Sequence, residues 1–371
     1  MYLKNISLVN FKNFANFEME FCPKINCFIG DNGTGKTNIL DSIHYLSFCK
    51  SFINFSDRQN IRTGEDFFVI QGNFDLYEKS ETIYCGMQAD KRKSFRRNGV
   101  EYQKLSEHIG LLPVVFTNPC DSNLIHEGSE CRRKFSDSVI SQFDHEYLNN
   151  LIKYNHILDQ RNNMLKNLQK GLKIDKDEVE IWNIQLAETG KKIHSSRNAF
   201  TTEISEFFQN YYNLISDSKE NVQLIYQSQL HNDNMLLLLE KNLEKDIVLG
   251  YTSAGIHKDD FDFRIENQPI KRYGSQGQQK TFVISLKFAW FSYIKHKTNM
   301  APILLLDDIF DKLDKKRVKV ITKLVSENDF GQIFITDTSY SRMPDILKNL
   351  QIDYKILNLS TNEISLNEIK T

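Results

Sequence analysis

One octamer near the start of the chain constrains its fold more than any other stretch. Residues 30–37 read Gly-Asp-Asn-Gly-Thr-Gly-Lys-Thr and fit G-x-x-x-x-G-K-[ST], the phosphate-cradling P-loop. In this pattern, glycines let backbone N–H groups converge on phosphate oxygens, the lysine reaches the β- and γ-phosphates, and the last hydroxyl serves Mg²⁺. The nucleotide-binding residues predicted from it are Gly30, Asp31, Asn32, Gly33, Thr34, Gly35, Lys36 and Thr37, and Lys36 is also a catalytic candidate.

The flanking sequence supplies the strand and the helix that such a loop requires. Residues 24–29 alternate polar and apolar side chains, as a strand does, and residues 38–46 carry apolar side chains at helical spacing. A helix that begins at the loop adds its own attraction for an anion. The alternative is an ordinary glycine-rich turn, which this context disfavours.

A second cluster of chemical groups lies late in the chain. Residues 303–306 form a continuous apolar run that ends in Asp307 and Asp308, as expected for a central strand of a parallel sheet. As a Walker B pair, Asp307 is predicted to hold Mg²⁺ and Asp308 to orient or deprotonate the attacking water. The alternative is a strand that ends in a solvated turn. Residues 332–336 predict a second buried strand.

A third stretch, residues 274–280, precedes a strong helical pattern. Ser275 is predicted to cap that helix, whose N-terminus offers a second site for an anion. The order of P-loop, Ser-x-Gly stretch and Walker B pair matches ATP-binding-cassette ATPases, in which this signature motif contacts the γ-phosphate bound by the other subunit. The alternative is a plain capped helix. The predicted signature residues are Ser275, Gln276, Gly277 and Gln278.

The periodicity of the chain predicts an α/β fold with an interruption. Short strands are predicted up to about residue 116, including a hairpin over residues 94–102 that turns at Asn98-Gly99. Helical spacing then runs from about 130 to 211, with a break expected at Gly171 and the charged residues 173–180. We therefore predict a P-loop, ABC-type ATPase head with a parallel or mixed sheet, interrupted by an α-helical insert that forms a short arm or a lid. The predicted domains are 1–125, 126–244 and 245–371.

Composition excludes several classes of protein. A net charge of −1 over 371 residues argues against a generally basic nucleic-acid coat, so any DNA contact must use a local patch. The six cysteines form no C-x-x-C pair, which predicts free thiols and no zinc site. The N-terminus lacks an apolar signal core, and no run reaches the ~18 apolar residues of a membrane helix, so we expect a soluble, cytoplasmic protein.

Two basic stretches are candidate DNA contacts through the phosphate backbone. The first is on the predicted hairpin, with Lys91, Arg92, Lys93, Arg96 and Arg97, and the second opens the helical insert, with Arg132 and Arg133. The alternatives are a solvated edge strand that prevents aggregation and a solvated helix face.

Motifs along nearly the whole chain carry a family resemblance. They are residues 8–14 (LVNFKNF), the P-loop with Asn38, 132–137 (RRKFSD), 154–162 (YNHILDQRN), 255–260 (GIHKDD), 275–281 (SQGQQKT) and 304–314. Together they resemble the RecF family of bacterial recombination and repair ATPases, which are related to SMC proteins. The resemblance implies ATP and Mg²⁺ as cofactors, ATP-driven dimerisation, DNA binding, and help in loading recombinase onto gapped DNA with RecO and RecR.

The sequence departs from the family pattern at several positions. Gly-Pro-His-Arg-Asp-Asp is common where this chain has Ile256 and Lys258, and a lysine loses the bidentate fork of an arginine. Ile53 replaces an arginine often found after Lys-Ser-Phe. Asp337 or Thr338 stands where transporter cassettes use a switch histidine, so no γ-phosphate sensor is assigned.

Three rival functions remain in view. An ABC-transporter ATPase subunit is disfavoured by the helical insert and the missing switch histidine. An ATP-gated nuclease component would carry an added acidic domain, for which too few residues follow position 314. A nucleotide-binding scaffold without hydrolysis is disfavoured because Lys36, Thr37, Asp307 and Asp308 are all present.

Overall fold

The computed structural model describes residues 1–54, 56–171, 176–216, 218–310, 315–326, 330–348, 352–361 and 363–367. The strands, in chain order, are β1 Tyr2–Phe11, β2 Phe14–Glu20, β3 Ile25–Ile29, β4 Phe67–Leu76, β5 Lys79–Gln88, β6 Ser94–Arg97, β7 Val100–Glu101, β8 Val114–Thr117, β9 Val222–Gln227, β10 Asp260–Ile265, β11 Gln268–Pro269, β12 Ile303–Leu306, β13 Ile333–Asp337, β14 Tyr354–Asn358 and β15 Glu363–Asn367. The α-helices are α1 Lys36–Phe48, α2 Asn123–His126, α3 Ser129–Ile140, α4 His145–Gln169, α5 Lys176–Ser216, α6 Met235–Lys241, α7 Leu243–Leu249, α8 Ile270–Tyr273, α9 Gln276–Thr298, α10 Lys315–Ser326 and α11 Arg342–Leu347. The chain divides into two compact units.

The first unit comprises Met1–Asp121, Tyr211–Asp217 and Val283–Thr371 and contains two six-stranded sheets. One sheet is antiparallel, in the order β2-β1-β4-β5-β6-β7. The other has the order β15-β14-β3-β13-β12-β8 and is parallel except for β15. Helix α1 contacts strands of both sheets and is buried along most of its length, so that one apolar core joins them.

The parallel sheet places the chemical motifs at a single edge. Strand β13 lies between β3, which leads into the P-loop, and β12, which leads into the Walker B pair. All four residues of β12 are buried, which explains its continuous apolar run. All five residues of β3 are buried too, including the polar Asn26, so the alternation predicted over residues 24–29 does not mark an exposed face of this strand. Because carboxyl ends of parallel strands meet at one edge, the loops that follow these three strands are neighbours.

The second unit comprises Ser122–Asn210 and Ser218–Phe282. Its helices α4 and α5 run antiparallel, since Glu146 pairs with Lys192 at 3.0 Å while Arg161 bonds Asn183 at 2.8 Å. Helix α4 also packs against α7, so the predicted pair of helices does not stand alone. A three-stranded antiparallel sheet, β11-β10-β9, completes the unit.

Buried ion pairs hold the second unit together. The Arg161 guanidinium and the Asp246 carboxylate are both fully buried and lie 2.8 Å apart. Arg197, also buried, pairs with Asp137 at 2.9 Å and donates to the Ile256 carbonyl at 2.9 Å. Removing one partner of such a pair is strongly destabilising, because it leaves an uncompensated charge in the interior.

The predicted architecture is confirmed, with local corrections. The hairpin turns at Asn98-Gly99, where φ is 50° and 81°, as a type I′ turn requires. The break predicted over 173–180 is wrong from residue 176 onward, because α5 begins at Lys176, and residues 172–175 lie outside the described residues. Strands β9 to β11 were not predicted from the sequence.

The predicted domain bounds differ from the structural units. The second unit extends past residue 245 to Phe282 and therefore includes Ser275. The domain bounds at 125 and 245 stay a prediction about where the helical insert begins and ends. In the part of the chain that the structure describes, no helix is long and apolar enough to cross a membrane.

Candidate nucleotide site

The P-loop needs its glycines for backbone conformation and for space. Gly30, Gly33 and Gly35 have φ of 152°, 85° and 104°, in the region that glycine favours. A Cβ on Gly35 would lie 2.5 Å from Nδ2 of Asn13, so any larger residue would displace the β1–β2 turn. That turn bonds to the loop, because Asn13 Nδ2 donates to the Thr34 carbonyl at 3.2 Å and Asn38 Nδ2 donates to Asn13 Oδ1 at 2.7 Å.

Lys36 is the cation of the loop. Its ammonium donates to the carbonyl oxygens of Gly30 at 2.8 Å and Asp31 at 2.9 Å, and the residue is only 5% exposed. An ammonium group has three hydrogens, so these two bonds leave one donor for an anion. The loop therefore holds its lysine in place through its own backbone.

Asp307 joins the P-loop to the Walker B strand. Thr37 Oγ1 donates to this carboxylate and lies 3.0 Å from both of its oxygens, and Thr336 Oγ1 donates to Oδ1 at 2.7 Å. Burial raises the pKa of the Asp307 carboxyl to about 6, although the two hydroxyl groups oppose the shift. A buried carboxylate beside a threonine hydroxyl is an oxygen donor set of the kind that Mg²⁺ takes in P-loop proteins.

The backbone of Asp308 has an unusual conformation and a specific hydrogen bond. Its φ of 46° is in the left-handed region, which aspartate tolerates better than most residues. Its N–H donates to Thr336 Oγ1 at 2.9 Å. The Thr336 hydroxyl thus donates to Asp307 and accepts from Asp308, so it contacts both members of the Walker B pair. Its bond to the Asp308 N–H holds the backbone from which the Asp308 side chain extends.

Sequence reasoning missed Thr336, Tyr340 and Ser360. Thr336 ends the strand predicted over 332–336, but only the strand order reveals that β13 lies beside β12. Tyr340 donates to Asp31 Oδ1 at 3.0 Å, and Ser360 Oγ accepts the Asp31 N–H at 3.3 Å. No local motif marks these residues, because their role depends on strands that are distant in sequence.

The signature stretch belongs to the second unit and begins helix α9. Ser275 Oγ accepts the N–H of Gln278 at 3.2 Å, and Gln278 Oε1 accepts the N–H of Ser275 at 2.8 Å. This reciprocal pair is a capping box, so the predicted cap at Ser275 is present. Gln278 Nε2 also donates to Glu220 at 2.7 Å, which orients the side chain.

The hairpin carries two kinds of basic residue. Lys93 pairs with Asp57 at 2.8 Å and is 12% exposed, and Arg97 binds Glu81 through two nitrogens at 2.8 Å each. These contacts are internal supports of the hairpin. Lys91, Arg92 and Arg96 are exposed.

The second basic pair is also engaged within the chain. Arg132 binds both oxygens of Asp260, at 2.7 and 2.9 Å. Arg133 donates to the Asp259 carbonyl at 2.6 Å and to Ser129 Oγ at 2.7 Å. Their use for DNA stays a prediction, and these bonds give both arginines a structural role.

The chain is similar to known proteins along nearly its whole length. The AAA ATPase domain family matches residues 1–246. The DNA replication and repair protein RecF of Flavobacterium johnsoniae is 47% identical over 359 residues, which covers 97% of this chain and all of that protein. The same protein of Phocaeicola vulgatus is 47% identical over 368 residues and covers 98% of each chain.

Solved structures give the same result. A structure of the recombination mediator protein RecF with ATP, in the RecFOR pathway, superposes with a TM-score of 0.87 at 29% identity, over 99% of this chain and 98% of that one. The Smc head domain of Pyrococcus furiosus, at 17% identity and a TM-score of 0.58 over 99% of this chain and 96% of that one, shares the fold. This chain is an ATPase, and it belongs to the RecF family of DNA replication and repair proteins.

Proposed function

We propose that this protein is a DNA clamp that ATP closes and hydrolysis reopens. Two copies would form a two-fold dimer around two ATP molecules and hold DNA at a gap while the nucleotide lasts. The observation that carries the proposal is the Asp307 carboxylate, which bonds the P-loop through Thr37 and the neighbouring strand through Thr336. Binding and hydrolysis of one nucleotide can therefore change the positions of several strands.

Each polar group of the candidate nucleotide site has a proposed role. Lys36 and the loop N–H groups would bind the phosphates, and Thr37 with Asp307 would hold Mg²⁺. The metal would supply charge neutralisation at the phosphates when bound. Asp308 would accept a proton from the attacking water as a general base.

The dimer side of the proposal follows from the second anion site. Ser275 caps a helix whose N-terminus attracts negative charge, while one P-loop already serves the nucleotide of its own subunit. A head-to-tail pairing would place each Ser275 at the partner's γ-phosphate. A two-fold axis then closes the assembly with two equivalent composite sites.

The DNA side of the proposal uses the exposed hairpin. Lys91, Arg92 and Arg96 would contact phosphates, which gives salt-dependent binding without base reading. The relatives are DNA replication and repair proteins, and the solved relative belongs to the RecFOR pathway. We therefore expect action on gapped DNA, with RecO and RecR as partners in recombinase loading.

A mixed dimer tests the composite sites. Ser275→Arg blocks the signature and Lys36→Ala blocks the P-loop, so a homodimer of either variant carries a defect in both sites. In a heterodimer, one site collects both lesions and the other is intact. Mixing the two inactive variants should therefore restore ATP-dependent dimerisation, measured by light scattering, and part of the hydrolysis.

The controls are each variant alone at the combined concentration, together with its thermal unfolding. Restored dimerisation and hydrolysis would support sites shared between subunits. If mixing restores neither while both variants unfold at the wild-type temperature, each nucleotide is handled within one subunit. The clamp mechanism would then be wrong.

A further inference from the structure

A tyrosine and a serine from distant segments meet at the first turn of the P-loop. Tyr340 follows β13 by three residues, and Ser360 follows β14 by two. Both strands pair in parallel with β3, one on each side, so their carboxyl ends flank the residues that leave β3. The loop is thus held between two neighbouring strand ends.

Three hydrogen bonds link Tyr340, Ser360 and Asp31 to one another. The Tyr340 hydroxyl lies 3.0 Å from Asp31 Oδ1 and 3.2 Å from Ser360 Oγ. Ser360 Oγ accepts the backbone N–H of Asp31 at 3.3 Å. We call the set of Tyr340, Asp31 and Ser360 the clasp.

The clasp acts on the residue that supports the catalytic lysine. The Asp31 carbonyl accepts from Lys36 Nζ at 2.9 Å, and the Gly30 carbonyl accepts from it at 2.8 Å. Ser360 Oγ lies 3.2 Å from where a Cβ on Gly30 would be. Side-chain and backbone contacts of the clasp therefore fix the two carbonyls that aim the Lys36 ammonium.

We propose that Tyr340 is a positioning residue for ATP binding, which acts through Asp31 and Ser360 on the conformation of the P-loop. It touches no reacting atom. Without the hydroxyl, the first turn of the loop samples other conformations, and the apparent affinity falls with the fraction of molecules that remain competent. The rate at which bound ATP is hydrolysed should not change, because Thr37, Asp307 and Asp308 keep their contacts.

The test compares Tyr340→Phe with a matched control. Tyr77→Phe removes the same atom from a side chain that is 71% exposed and whose hydroxyl has no hydrogen bond to a described residue. Losing one hydrogen bond of this kind should raise KM for ATP roughly three- to tenfold. We expect an unchanged kcat, an unchanged KM in the control and faster hydrogen exchange of the Asp31 amide.

Ser360→Ala is a smaller change at the other side of the clasp and should also raise KM. Because the two residues share one network, the double variant should equal the larger single effect rather than their product. A wild-type KM with faster exchange at Asp31 would show that the clasp only orders the surface. A lower kcat at unchanged KM, or effects that multiply, would likewise overturn the proposal.

Discussion

Thr336→Val is the most informative single substitution at the nucleotide site. Valine has nearly the shape of threonine, and position 336 is fully buried on a central strand. The change removes one oxygen, which donates to Asp307 Oδ1 at 2.7 Å and accepts the Asp308 N–H at 2.9 Å. Packing stays constant while both members of the Walker B pair lose a contact.

The magnitude follows from the kinds of bond removed. A hydrogen bond to a charged group contributes about 1.5–3 kcal/mol, and a buried N–H without an acceptor costs about 1–3 kcal/mol. If the charged bond is lost from the transition state, kcat falls roughly 10- to 100-fold, since ~1.4 kcal/mol is a factor of ten. The uncompensated amide should lower the free energy of unfolding.

The assay separates chemistry from binding. Steady-state hydrolysis at saturating ATP reports kcat, and a fluorescent ATP analogue reports affinity, which should change little because Lys36 keeps both of its backbone contacts. Thr322→Val is the matched control, since this buried threonine donates to the Val318 carbonyl of its own helix at 2.8 Å and its hydroxyl bonds no other described residue. We expect the control to keep the wild-type kcat.

One result would refute this reasoning. If Thr336→Val binds ATP, unfolds close to the wild-type temperature and hydrolyses at the wild-type rate, then neither Asp307 nor Asp308 depends on this hydroxyl. The base and the metal ligand would have to be assigned by other contacts.

Three further predictions concern residues identified in the sequence. Lys36→Ala should abolish tight ATP binding in a nucleotide-binding assay, because no other P-loop side chain is cationic, and an unchanged affinity would contradict the P-loop assignment. Asp308→Asn should bind ATP yet hydrolyse it slowly and accumulate a dimer, because an amide cannot accept the proton of water while asparagine tolerates the same φ, and wild-type turnover would exclude this base. Reversing Lys91, Arg92 and Arg96 to Glu should weaken DNA binding and flatten its salt dependence, with ATP affinity in the absence of DNA as the internal control, and an unaltered salt slope would show that these charges are only solvated.

The sequence predicted the parts of the fold that local physics decides. The Walker B strand is completely buried, so its continuous apolar run predicts a strand without any tertiary information. The P-loop strand was predicted from its alternating residues beside the loop motif, although all five of its residues are buried. The hairpin was predictable because Asn98-Gly99 favours a positive φ at both positions. Strand β9 was not predicted, although burial alternates along its six residues, because it is a short segment that follows a 41-residue helix.

The site was predictable only where one motif contains the residues. Lys36 and Thr37 lie in one loop, and their spacing follows from its chemistry. Thr336 bonds Asp307, which lies 29 positions away, and Tyr340 bonds Asp31, which lies 309 positions away. Only the order of the strands in the sheet brings these residues together. Charge density alone does not show which basic side chains have partners within the chain. Lys93 and Arg97 belong to the basic patch and pair with Asp57 and Glu81, and their use for DNA stays a prediction.

The capping box at Ser275 still leaves backbone donors at the start of helix α9 for the proposed anion site. A helix leaves its first four N–H groups without an acceptor in the helix itself. Ser275 Oγ takes the N–H of Gln278, and the Ser275 carbonyl takes that of Gln279 at 2.9 Å, as the first helical bond. Helix geometry gives the N–H groups of Gln276 and Gly277 no acceptor within the helix, so they can donate to an anion. Gly277 has no Cβ that would block the approach of that anion. A phosphate oxygen matches both donors, so the arrangement favours a signature motif that is completed by the nucleotide of a second subunit.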